Sequence, residues 1–192
     1  MPRPLRLFIA VDLPGETVTV ARRIITRVRN TGIDGRWTDP EHLHITLWFL
    51  GDVMAEDIPA LCAAMDRVGA ASAPLELSIG GVGGFPDASR PRTVWLGVQD
   101  GAVELTAIHD ALAAELEPLG FPPEERRYTP HVTLGRLRQG SAGTTALLAA
   151  EMARLVDARA GSGGVDSLTL LASVTGRDGP RYEVVHVADL GP

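Results

Sequence analysis

Residues 42–51 read HLHITLWFLG and residues 130–137 read PHVTLGRL. Inside them lie two matching tetrads, His44-Ile45-Thr46-Leu47 and His131-Val132-Thr133-Leu134. Each is His-x-Thr-Leu with a β-branched aliphatic at x, in a stretch whose apolar and β-branched content predicts a strand. Residues i and i+2 of a strand share a face. His44 and Thr46 are therefore expected to point together into one space while Ile45 and Leu47 enter a core. His131 and Thr133 repeat the arrangement almost half a chain later. One His-x-Thr carries little information, because chance supplies it often. A strand-borne repeat predicts a pseudo-twofold site between two similar halves.

The rest of the chain reads as strands and helices in alternation. Leu5–Leu13 predicts a first strand, and a helix follows from Pro14 to about Arg29 with Val18, Ala21, Ile25 and Val28 at helical spacing. A short strand is expected around Arg36–Thr38, then a long one over His42–Leu50 stopped by Gly51. Glu56–Val68 predicts a helix, Leu75–Val82 a strand running into the glycines of 80–84, and Thr93–Val98 another strand. A second cycle follows: a helix over Ala102–Leu119 with Leu105, Ile108, Leu112 and Leu116 on one face, a Pro-rich charged loop, and the strand Pro130–Leu137. Thr144–Val156 is expected to be helical, Gly161–Gly164 a hinge-like loop, and Val165–Val174 with Tyr182–Val187 a strand pair closed across Gly176–Gly179. No linker is long or polar enough to divide the chain. Residues 1–192 are expected to form one bilobal α+β domain.

Composition removes several classes of function. All 18 basic residues are arginine, so no P-loop lysine, Schiff base or adenylylated lysine can form. A formal charge of −6 argues against broad, sequence-independent adhesion to nucleic acid, though not against gripping one phosphate end. The only cysteine, Cys62, permits no internal disulfide and reads as a small core residue. The apolar run of the N-terminus is too short for a leader and carries Asp12, and no stretch approaches the roughly 18–20 apolar residues of a membrane span. A cytoplasmic monomer is the expectation.

Two imidazoles and two hydroxyls facing one space suit phosphoryl transfer without a metal or any other cofactor. A neutral imidazole takes a proton from water, a protonated one gives a proton to the leaving oxygen, and hydroxyls hold the non-bridging oxygens. A bell-shaped pH–rate profile is expected, with both limbs within a unit or two of about 6.5. His42 and His44 have the spacing of a chelate, but no third ligand lies nearby at suitable spacing. Arg136 is a phosphate-binding candidate, although at i+5 from His131 only a bulge or turn would aim it inward. By parity Trp48 faces the cleft and Phe49 the core, so Trp48 and Tyr128 are the candidates to stack on a base. Arg90, Arg92, Arg126 and Arg127 form the dense basic stretches of an acidic chain; each singly reads as a solvated surface charge, and some of them are expected to line an RNA path. His109 and His186 read as surface or structural residues, and the glycines of 80–84 as a turn or bulge.

With these residues in view, the chain resembles the RNA 2′,3′-cyclic phosphodiesterase (2′-5′ RNA ligase) family of the two-histidine phosphoesterases. The segments carrying the resemblance are RLFIAVDLP, RWTDPEHLHITLWFLGDV, GGVGGFPDASRPRTVWLGV and GFPPEERRYTPHVTLGRLR, in that order. The chain departs from the family at His42, where an amide or small polar residue is usual. The resemblance implies two antiparallel sheets facing a central cleft with helices outside. By motif position it implies His44 and His131 as catalytic residues, Thr46 and Thr133 as phosphate-binding hydroxyls, and a nearby basic residue, matched by Arg136. It implies opening of a terminal RNA 2′,3′-cyclic phosphate to a 2′-phosphate, reversible as ATP-independent 2′-5′ ligation. The alternatives are the same chemistry on a small cyclic nucleotide or 2′-5′ oligonucleotide, or a catalytically idle nucleotide- or RNA-binding module.

Overall fold

The structure is a computed structural model and describes residues 3–138, 140–176 and 179–191. Among these residues nine strands and four α-helices follow one another as β1 (Leu5–Val11), α1 (Gly15–Arg29), β2 (Gly35–Trp37), β3 (Ile45–Val53), α2 (Ile58–Ala70), β4 (Leu75–Phe85), β5 (Thr93–Asp100), α3 (Ala102–Leu116), β6 (His131–Leu137), α4 (Ala142–Arg154), β7 (Arg159–Val165), β8 (Ser167–Gly176) and β9 (Gly179–Asp189). The strands form an antiparallel sheet in the order β7-β4-β5-β6-β3-β1-β8-β9, with β2 on β6. The motif strands β6 and β3 occupy its centre. The two sheets expected from the sequence are the two halves of this curled sheet, and they meet through the Ile45–Val132 pair.

One face of the sheet buries the helices. Leu105, Ile108, Leu112 and Leu116 of α3 are buried, as their spacing predicts. They join Ile45, Leu47, Val132 and Leu134 in one continuous core. On α1 the first buried side chain is Thr17 rather than Val18, which is only half-buried. Cys62 is also half-buried against the core, and burial together with the Asp66 charge pushes its thiol up, away from the reactive thiolate. Phe8, Ala10, Leu171 and Tyr182 form a small second cluster.

Local sequence expectations fail where turn chemistry or a bulge overrides periodicity. The strand expected from His42 begins at Ile45, because Asp39 accepts from the Glu41 N–H and Pro40 opens a short 3-10 turn through His42. Gly51 does not stop that strand. It takes φ +73 beside a register shift against β1, and pairing continues to Val53. Gly161–Gly164 is not a hinge, because it pairs with β4 as part of β7. The turn expected at Gly176–Gly179 includes residues 177–178, which lie outside the described residues.

Candidate active site

The backbone conformation around each motif fixes its histidine. The 3-10 turn brings the His42 carbonyl over His44, whose Nδ1–H donates to it at 2.9 Å. In the second half the His131 Nδ1–H donates to the Thr129 carbonyl at 2.8 Å. Both rings are thus held by the carbonyl two residues upstream, which selects the tautomer leaving Nε2 as the titrating nitrogen. Aromatic rings pack around them. His44 lies 4.9 Å from Phe8 and 5.3 Å from Tyr182, and His131 lies 5.0 Å from Phe85 and 6.2 Å from Trp95. A Cβ on Gly83 would collide with the Trp95 indole, and one on Gly97 would press against it. The glycine-rich stretch of β4 is therefore a seat for that ring, and no loop for phosphate.

Burial lowers the pKa of both imidazoles, since the charged form loses more hydration. For each, the hydrogen bond to backbone opposes the fall. At His44 the Asp12 carboxylate also opposes it, while the charges of His42 and His131 deepen it.

Each motif strand carries a bulge at the same place. On β3 the register with β1 passes from Ala10–Thr46 to Ile9–Trp48, leaving Leu47 extra. On β6 the register with β5 passes from Trp95–Thr133 to Val94–Gly135, leaving Leu134 extra. The extra residue reverses the parity of the residues that follow it, on β3 as far as the second register shift before Gly51. Arg136 is thereby exposed and lines the cleft, as its candidacy required. Phe49, at the same offset from His44, also lines it and is 54% exposed. The parity assignment of residues 48 and 49 is corrected in part: Trp48 borders the cleft as expected, but it is packed in the core and only 3% exposed, so Phe49 is the ring open to a base. Tyr128 is half-buried. One face stacks on His109 at 4.2 Å, and its hydroxyl donates to the Thr46 carbonyl at 3.2 Å. Burial raises the Tyr128 pKa, so the phenol stays protonated as that donor.

The cleft has a volume of about 320 Å³ and is lined by Thr46 and Phe49 from one half and His131, Thr133 and Arg136 from the other, with Trp48, His109 and Tyr128 along its wall. Arg126 and Arg127 stand at its margin together with Glu124. Arg90 and Arg92 do not line it. The Arg136 charge reaches the Tyr182 hydroxyl and opposes its burial-driven rise in pKa, so the guanidinium acts on the half that carries His44. Among the described residues no three His, Cys, Asp or Glu side chains converge as metal ligands. The sequence reading missed Phe8, Tyr182, Phe85 and Trp95 as packing partners of the histidines. Only the glycines of 80–84 signalled one of them, because glycines along a strand mark where a large ring lies flat on the backbone.

Fold and paired motifs together define the two-histidine phosphoesterase class. The chain belongs to the 2′-5′ RNA ligase superfamily, whose family model matches residues 17–177. It is 35% identical over 167 residues to an RNA 2′,3′-cyclic phosphodiesterase of Aeropyrum pernix, covering 85% of this chain and 91% of that one. It is 29% identical to the protein of the same name from Aquifex aeolicus, over 97% and 98% of the two chains. Among solved structures it superposes on a Thermus thermophilus protein, TT0787, with a TM-score of 0.79 at 27% identity, covering 97% and 98%. It also superposes on Escherichia coli LigT complexed with 3′-AMP, with a TM-score of 0.75 at 27% identity, covering 98% and 99%.

Proposed function

We propose that this protein hydrolyses terminal RNA 2′,3′-cyclic phosphates to 2′-phosphomonoesters, with His44 and His131 as its acid–base pair. One observation carries the reading. Two His-x-Thr motifs have the same ring tether, the same Leu bulge and the same inward-facing residue at i+5; Thr46 of the first and His131 and Thr133 of the second line one cleft, and His44, outside that lining, lies near enough to feel the His131 charge. The relatives' names and the LigT complex with 3′-AMP support the substrate class. Family resemblance supplies the 2′-phosphate product.

The neutral His131 Nε2 takes a proton from water as its oxygen attacks phosphorus. The P–O3′ bond breaks opposite, and the His44 imidazolium gives its Nε2 proton to O3′. Asp12 favours the charged form of His44, while among the described residues no carboxylate acts on His131, which supports this division of roles. Thr46, Thr133 and Arg136 hold the non-bridging oxygens, and Phe49 offers its face to the terminal base. With a 5′-hydroxyl in place of water as the nucleophile, the same proton transfers and the same P–O3′ cleavage join it to the cyclic end through a 2′-5′ bond without ATP. Both motifs come from one chain, so a monomer suffices. Among the described residues no helix is long and apolar enough to cross a membrane, and a cytoplasmic site of action accords with an RNA-end substrate.

The cleft volume suits one nucleotide, so a mononucleoside cyclic phosphate is a second candidate substrate. Arg126 and Arg127 at the margin favour a longer RNA. Hydrolysis assays on cyclic-phosphate-ended RNA against the mononucleoside 2′,3′-cyclic phosphate separate the two. RNA is expected to show the higher kcat/KM, and equal values would favour the small substrate.

Activity is expected to survive exhaustive chelation, because imidazoles perform both proton transfers. Turnover lost in EDTA and restored by a divalent ion would contradict this.

The pH dependence has a definite sign. Turnover needs the base neutral and the acid charged, and burial lowers both pKa values. The bell of kcat/KM is therefore expected to centre on the acid side of about 6.5. Asp12→Asn should move it further toward acid, since the carboxylate supports the His44 charge. A bell centred above pH 7 would show that something other than burial governs the pair.

A further inference from the structure

The two halves of the sheet meet along a narrow seam. β3 and β6 are paired through Ile45 and Val132 alone, while each pairs with its outer neighbour over a much longer register. A single ladder position leaves the angle between the two motif strands weakly determined. β2 braces the far end of β6, and the Thr38 N–H donates to the Leu134 carbonyl at 2.9 Å, but neither contact reaches Thr46.

A stack of three rings bridges the seam. His109 of α3 lies flat on Tyr128 at 4.2 Å with 5° between the planes. Its other contact is the Trp48 indole at 5.0 Å, tilted by 38°. The Asp110 carboxylate lies 3.1 Å from Nδ1 and fixes the turn of the ring. Trp48 stands two residues after Thr46, and Tyr128 three residues before His131. The Tyr128 hydroxyl then closes the circuit on the Thr46 carbonyl at 3.2 Å. The path leaves the first motif, crosses a helix, and returns to that motif from the threshold of the second. The side chain of His109 is only 16% exposed, so the ring is clamped rather than free to rotate.

We infer that His109 is a positioning residue: held between Trp48 and Tyr128, its ring sets the separation of the two His-x-Thr motifs across the cleft. The inference rests on the functional reading above for its kinetic consequences. A displacement of about 1 Å between reacting groups can cost on the order of 10²-fold in rate. The flat ring is the operative feature. A phenyl ring can take its place, and a methyl group cannot.

The test compares His109→Ala, His109→Phe and Tyr128→Phe on RNA ending in a 2′,3′-cyclic phosphate. His109→Ala is expected to lower kcat by roughly 10- to 10²-fold with KM little changed, and His109→Phe to restore most of it. Tyr128→Phe keeps the ring and drops only the hydrogen bond, for a loss of about 2- to 10-fold in kcat. If His109→Ala does not fold, His109→Leu, which fills the space without a flat ring, takes its place in the comparison. Wild-type kcat in His109→Ala, or in His109→Leu where the alanine variant does not fold, overturns the inference. Equal damage in His109→Phe and His109→Ala also overturns it, because the imidazole would then act on the substrate itself.

Imidazole NMR titration reads the same geometry without substrate. Burial lowers the His44 pKa most and the His131 charge adds to the fall, and both depend on how the motifs are held, so the His44 titration is expected to shift in His109→Ala and to return in His109→Phe. An unmoved His44 counts against the inference. A wild-type protein inactive on every cyclic phosphate defeats the functional reading, and the titration still decides the role of His109.

Discussion

Alanine in place of His44 or His131 is expected to lower turnover of a cyclic-phosphate-ended RNA by about 10²–10⁴-fold or more, the range for losing a positioned acid or base. Both rings are tethered through Nδ1 to backbone and packed against two aromatic rings, so their Nε2 atoms are pre-aimed at no cost during reaction. The two act as a unit. The double variant should therefore be far less than multiplicatively worse than either single one. A substrate with an activated leaving group separates the roles, because it needs no proton donor. It is expected to rescue His44→Ala and leave His131→Ala impaired. Rescue of His131→Ala alone would exchange the assignments, and full activity in either single variant would end the mechanism.

Thr46→Ala and Thr133→Ala should each reduce turnover by roughly 10- to 10³-fold, the order found on removing one donor to a developing negative charge. Both side chains line the cleft and neither is buried in the core. Melting temperature should hardly move, because the Thr46 carbonyl that receives the Tyr128 bond survives the substitution. A variant that melts early but keeps its turnover would make that threonine a structural residue.

Much of this was legible because strand periodicity is local. His44 with Thr46, and His131 with Thr133, share a face by the alternation of a strand, and the apolar residues between them are buried. The faces of α3 were equally plain from their 3.6-residue spacing. What failed lies just beyond the motifs. The run Ile45-Thr46-Leu47-Trp48-Phe49-Leu50 is apolar at both parities after Thr46, so nothing in it announces the extra residue at Leu47. One inserted residue sent Trp48 into the core and Phe49 into the cleft. The same insertion at Leu134 brought Arg136 inward. The stack of Trp48, His109 and Tyr128 joins three distant segments, and no local pattern encodes it. Gly161–Gly164 was misread for a related reason: its glycines accept the close approach of Pro14, Glu16 and Thr17, which only the tertiary fold reveals.

The most direct test of the central claim is product analysis of an RNA ending in a 2′,3′-cyclic phosphate, incubated in EDTA with the wild-type protein and with the His44→Ala/His131→Ala double variant. The account predicts that the wild type converts the end to a 2′-phosphomonoester while the double variant leaves it cyclic. An end that stays cyclic with the wild type, or opens equally well with the double variant, would contradict it.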